Sequence, residues 1–291
     1  MSQDSSYERH AMFVAPARTH AALWRLLAGF FLAGIIYVLL DQSFLRMIEG
    51  VDLDHRANSG AFGMYALLAT FGFMIVGVTV SARVLHNRGF FSLLGPIRPL
   101  IQDFRATVIA ILAVMIVIFI LPPWDMGAPL LQNMPFGTWL SLLVPSLFFI
   151  FIQVTSEEIV FRGYVQQQLA ARFQSPVIWM VLPSTLFALG HYVPQEAGEN
   201  AFLIAAWSGI FGILMADLTA RSGSLGPAIA VHFCNNISAI MFVSLPDSLS
   251  DLALYLAPFS MADTAAMRAW LPVDFAMMFV YWLAARLALR R

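Results

Sequence analysis

Three places in this sequence set ionisable or amide side chains inside runs of apolar residues. SLFFIFIQVTSEEIVFRGYVQQQL carries Glu157, Glu158 and Arg162, LPSTLFALGHYV carries His191, and IAVHFCNNISAI carries His232, Asn235 and Asn236. A charged group at the centre of a membrane helix costs ~2.5–3.5 kcal/mol on insertion scales and is kept only where it is paired or useful. On a helix, residues three or four apart are neighbours and adjacent residues are not. Glu158 and Arg162 therefore face each other, with the acid on the amino-terminal side, which is the favourable order. Glu157 points about 100° away around the helix, and as a carboxylate free to face a cavity it is suited to general-base work. His232 and Asn236 share a face, as do Phe187 and His191. Neutral imidazole and carboxamide groups can hold a developing oxyanion in a low-dielectric site. Singly, each residue has a plain structural use, as an interfacial ion pair or an interhelical hydrogen bond; together they are the parts of a hydrolase.

The elements that carry these residues are transmembrane helices. Of 291 residues, 60% are hydrophobic and 11% charged, and the mean hydropathy is +0.77, which excludes an ordinary soluble globule and a disordered chain. Crossing the hydrocarbon core takes about 20 apolar residues. By that measure spans lie near 22–41, 61–82, 106–121, 138–160, 176–192, 201–219, 225–245 and 271–288. The expected fold is an all-α, polytopic membrane helical bundle with about eight transmembrane helices, in which residues 1–21 are a polar cytoplasmic amino-terminal tail and 22–291 the transmembrane domain. With the amino terminus inside, all arginines except Arg46, Arg56 and Arg268 fall on the inner side. That bias follows the positive-inside rule and predicts both termini in the cytoplasm, in the cell membrane. Trp24, Trp124, Trp139 and Trp270 sit near span ends, where amphipathic rings prefer to lie. The loops near 42–60, 83–105 and 246–270 are too short for a soluble domain, so function must lie among the helices.

Charge and composition narrow the chemistry. A formal net charge of −1 leaves no basic surface for nucleic acid. Every one of the 16 positive residues is arginine, and the absence of lysine removes Schiff-base chemistry and any P-loop lysine. Cys234 stands alone and has no disulfide partner within the chain. Two histidines and two glutamates can make a metal site, yet HExxH is missing and an oxyanion role needs no metal; no metal and no cofactor are expected. The spans show no internal repeat of the kind common in transporters.

In order and spacing, EExxxR at Glu157–Arg162, FxxxH at Phe187–His191 and HxxxN at His232–Asn236 resemble the intramembrane proteases of the CAAX protease and bacteriocin-processing family, also called the Abi family. GFFSLLGP at 89–96 is similar to an upstream stretch in many members. The resemblance implies a helical membrane endopeptidase that hydrolyses a peptide bond of a membrane-associated protein or peptide by glutamate-activated water. Carried over position by position, Glu157 would activate the water with help from His191, Glu158 with Arg162 would orient it, and His232 and Asn236 would stabilise the oxyanion. The expected partners are that substrate and the lipid bilayer. Two other functions use the same residues: a proton-coupled transporter, because intramembrane carboxylates and histidines also make proton relays, and a non-catalytic immunity-type binding protein. One tension is geometric: His232 lies ~10 Å into its span whereas His191 lies near the far end of one begun at 176. A break at Pro183, or a start nearer 180, would bring them together.

Overall fold

The computed structural model describes residues 7–48, 60–122 and 129–290. Arg56, Trp124, Arg291 and most of the 42–60 loop lie outside the described residues. The chain folds as α1 (Glu8–Val14), α2 (Leu23–Met47), α3 (Gly60–His86), α4 (Phe91–Leu94), α5 (Ile97–Ile120), α6 (Phe136–Glu158), α7 (Gln167–Arg172), α8 (Pro176–Gly190), α9 (Pro194–Ala197), α10 (Ala201–Ser222), α11 (Gly226–Ile237) and α12 (Thr264–Leu289). A π-helical stretch, Ile159–Gln166, joins α6 to α7 without a break, and a second, Ser238–Phe242, continues α11. The all-α membrane bundle is thus as expected, and each span read from the sequence coincides with a helix.

Length separates those helices into two kinds. Among the described residues, six segments are long and apolar enough to cross a membrane: Leu23–Met47, Gly60–His86, Ile97–Ile120, Phe136–Arg172, Pro194–Ser222 and Thr264–Leu289. The remaining two expected spans are shorter: α8 has 15 residues, and α11 has 12 before its π-helical continuation to Phe242. The two shorter helices carry or end at His191, His232 and Asn236, with α8 packed against α10 and α11 against α5, α6 and α10.

The side-chain distribution is that of a protein dissolved in lipid, in which backbone groups must be satisfied within the helices. Large apolar residues face outward, among them Phe31, Phe119, Val144 and Phe148. Polar ones, including Gln153, Glu157, Glu158, Arg162, Asp217 and His232, are buried between helices. Close approach of α2 and α3 requires Gly77, where a Cβ would lie 2.6 Å from the carbonyl oxygen of Ala33. Three two-residue strands, Leu131–Gln132 (β1), Val243–Ser244 (β2) and Tyr255–Leu256 (β3), make a small sheet in the order β1-β3-β2, antiparallel then parallel. Strands this short show no alternation, and the sequence reading contains none of them.

The segment read as a polar tail is folded from Glu8 onward. α1 and the 3-10 turn Ala15–His20 pack against α7 and α10, with Phe13, Val14 and Ala17 almost fully buried. The Tyr7 hydroxyl donates to Asp217 Oδ1 at 2.6 Å, and that carboxylate also accepts from Arg221 Nε and from the Trp282 indole at 3.0 Å. His10 lies 4.4 Å from Trp179, ring to ring, and burial, aided by the charge of Arg18, pulls its pKa from 6.5 down to about 4. The unfolded chain therefore binds a proton that the folded one refuses as pH falls from 6.5 towards 4. Stability is expected to drop by on the order of 2–3 kcal/mol across that interval, and His10→Phe should remove most of the acid-side loss. Thermal unfolding of both proteins at stepped pH checks it.

Candidate active site

The cluster starts where α6 gives way to π-helix. Such wide turns are uncommon and collect at functional sites; here the change comes directly after Glu157 and Glu158. The pairing expected from spacing is present: Arg162 Nη1 donates to Glu158 Oε1 at 2.9 Å, and the two side chains are 1% and 0% exposed. Arg162 Nη2 donates to the Gly212 carbonyl of α10 at 3.1 Å. A Cβ at residue 212 would sit 2.8 Å from that of Ser184, so glycine lets α8 and α10 close on this point. The guanidinium also lies 5.1 Å over the Phe187 ring, a contact that favours a desolvated cation.

His232 enters from α11 and meets both acids. Nδ1 is 2.8 Å from Glu158 Oε1, and Nε2 is 3.4 Å from Glu157 Oε2. Phe187 and Phe211 flank the imidazole at 6.1 and 5.1 Å. Asn236, one turn further along α11, donates through Nδ2 to Gln153 Oε1 at 2.9 Å, and Asn235 donates to Asn236 Oδ1 at 3.2 Å. Glu157 Oε2 and Glu158 Oε2 are buried with no hydrogen-bond partner in the protein. Buried oxygens of this kind are ordinarily satisfied by water or a ligand.

His191 caps the carboxyl end of α8 and is half-buried. Its Nδ1–H donates to the Phe187 carbonyl at 2.9 Å, which leaves Nε2 as the nitrogen with a free lone pair. Its ring lies 4.4 Å from that of Phe187, whose other neighbours are His232 and Arg162. α8 begins at Pro176 and runs unbroken through Pro183, and α11 starts from a buried turn, where Ser222, Ser224 and Leu225 are 2%, 0% and 0% exposed; His191 and His232 both lie against the Phe187 ring, at 4.4 and 6.1 Å.

The structure therefore joins Glu158 to Arg162 and to His232, and sets His232 3.4 Å from Glu157. It sets Asn236 beside them through Gln153, and His191 across Phe187. Gln153 and the carbonyl of Gly212 were not singled out in the sequence. Gln153 was within reach, being one helical turn before Glu157 on the same face, whereas a backbone carbonyl leaves no sequence signal. No group of three or more His, Cys, Asp or Glu among the described residues is arranged to hold a metal ion.

The fold is a polytopic membrane bundle with a buried polar cluster. Its residues 137–238, which include all three motifs, match the family model for type II CAAX prenyl endopeptidase Rce1-like proteins. The chain is also 25% identical over 256 residues to the uncharacterized protein YyaK of Bacillus subtilis (strain 168), a similarity covering 81% of this chain and 83% of that one. No solved structure matches it. The family match bears out the resemblance drawn from the motifs: residues 137–238 are similar to Rce1-like, CAAX-protease-type proteins.

Breaking a buried ion pair by removing one partner leaves an uncompensated charge and typically costs ~3–5 kcal/mol. Arg162→Ala is accordingly expected to lose about that much stability or to fail to accumulate in the membrane. Glu158→Gln combined with Arg162→Met, which removes both charges, should recover a substantial part. Unfolding midpoints in detergent, with expression level as a second readout, provide the check.

Proposed function

We propose that the chain is an intramembrane endopeptidase in which Glu157 activates water to hydrolyse a peptide bond of a membrane-associated protein or peptide. The observation that carries this reading is the contact of His232 with both acids. Nδ1–H donates to Glu158, and Nε2 turns to Glu157, whose own oxygen has no other partner. Glu158, held by Arg162, fixes the ring tautomer as the carboxylate does in an acid–histidine–nucleophile triad.

In this mechanism a water held by Glu157 and by Nε2 of His191 gives one proton to Glu157 as its oxygen attacks the substrate carbonyl carbon. The carbonyl oxygen takes the negative charge, and the Asn236 amide, oriented by Gln153, donates to it. The proton passes from Glu157 to Nε2 of His232 and on to the leaving nitrogen as the carbon–nitrogen bond breaks. The products are a new carboxylate and a free amine. The resemblance gave His232 an oxyanion role from the start; the contacts favour a proton carrier that becomes a donor once protonated.

An apolar groove of about 450 Å³ runs between α8 and α10, lined by residues including Leu189, Tyr192, Phe202, Ala206 and Gly209. Its lining includes Tyr192, the residue after His191, and it would take the apolar part of a lipid-bearing substrate, the class named in the matched family's description. The arginine distribution supports a cell-membrane location with both termini in the cytoplasm.

Glu157→Gln keeps the shape of the side chain and removes the base. It is expected to lower cleavage of a membrane-bound peptide substrate by about 10²–10⁴-fold at unchanged expression and unfolding midpoint, and His232→Gln to lower cleavage as well, with some loss of stability. Single-turnover cleavage in proteoliposomes reads both. Full activity of Glu157→Gln rejects Glu157 as the base, and solute flux that depends on Glu157 supports the transporter in its place.

A further inference from the structure

A second buried cation lies away from this cluster, where α3 ends and α2 begins. Arg88 is 4% exposed, and none of its three guanidinium nitrogens has a hydrogen-bond partner in the protein. Arg162 is buried as deeply but is paired with Glu158. None of the ion pairs among the described residues includes Arg88 or Arg25.

The surroundings of Arg88 add positive charge instead of balancing it. His86 Nδ1 bonds the His20 carbonyl at 3.0 Å, and its Nε2 meets the Tyr164 hydroxyl at 2.8 Å. Arg25 Nη1 donates to the Leu85 carbonyl. The charges of Arg88, Arg25 and His20 all act on the His86 ring, and no carboxylate does. Burial draws the Arg88 guanidinium down to about 10, with only the Tyr164 phenol acting in the other direction. Two loops of charge are therefore folded together with no anion of the protein's own to hold them. A guanidinium offers its donors in a rigid fork that fits the oxygens of phosphate.

We propose that Arg88, with Arg25 and His20 at the rim, binds a phosphate group at the membrane surface between α2 and α3. The location suits that ligand: Trp24, largely exposed at the first turn of α2, marks the interfacial level where lipid phosphates lie. The neighbouring Gly89 leaves open space, since a Cβ there would meet nothing within 4 Å. Through His86 and Tyr164 the bound phosphate braces the π-helical stretch that contains Arg162. The phosphate can come from a lipid headgroup or from solution, and the same chemistry serves both.

The test uses the full chain, delipidated in neutral detergent at fixed ionic strength, with thermal unfolding as the readout. Phosphatidylglycerol, diacylglycerol and inorganic phosphate are titrated separately. A saturable rise of about 5 °C is expected at roughly a hundredfold excess over the dissociation constant. A rise with phosphatidylglycerol alone identifies the lipid headgroup, and one with inorganic phosphate identifies a soluble ligand; either supports the site. Arg88→Met should abolish the rise while unfolding, without phosphate, no earlier than the unmodified protein, because the unpaired charge is gone. Should that variant not fold, Arg88→Gln carries the same expectation. No rise with either phosphate source, an equal rise with diacylglycerol, or an undiminished rise in the Arg88 variant overturns the proposal.

Discussion

A fully buried carboxylate is the constraint from which the rest of this structure follows. Glu158 is 0% exposed in a protein dissolved in lipid, where an uncompensated charge is among the most costly features a chain can carry. Its compensation comes from two directions: Arg162, one turn along its own helix, and His232, from α11. Arg162 in turn reaches the Gly212 carbonyl and so adds α10. One charge thereby fixes the relative positions of three helices, and Phe187 and Phe211 close around the arrangement as an apolar wall.

The same constraint divides labour between adjacent glutamates. With one carboxylate committed to Arg162 and to His232 Nδ1, the other faces the remaining ring nitrogen and keeps an unpaired oxygen. Two identical side chains in consecutive positions thus acquire different environments through helix geometry alone. A purely structural ion pair would need one acid; the second acid, buried and only loosely engaged, makes sense as a group that handles something not belonging to the protein.

Much of this was legible in the sequence, for specific reasons. Hydropathy located the long helices, because the bilayer imposes length and apolarity together. The spacing of Glu158 and Arg162 predicted their pairing, since a neighbour one turn away depends only on helix geometry. The contact between His232 and the acids was not derivable from spacing, as it joins residues 74 apart through tertiary packing. One packing feature was not legible. The polar opening segment looked like a tail, because Phe13, Val14 and Ala17 are too few to form a pattern, yet they bury a face of that segment against α7 and α10.

The most direct measurement of the central claim is a double-mutant cycle between Glu158 and His232, read as unfolding free energy in mixed micelles. If the buried carboxylate joins α6 to α11, Glu158→Gln and His232→Gln will be non-additive, with a coupling of ~1–3 kcal/mol. Additivity within ~0.3–0.5 kcal/mol, the behaviour of independent sites, would contradict it.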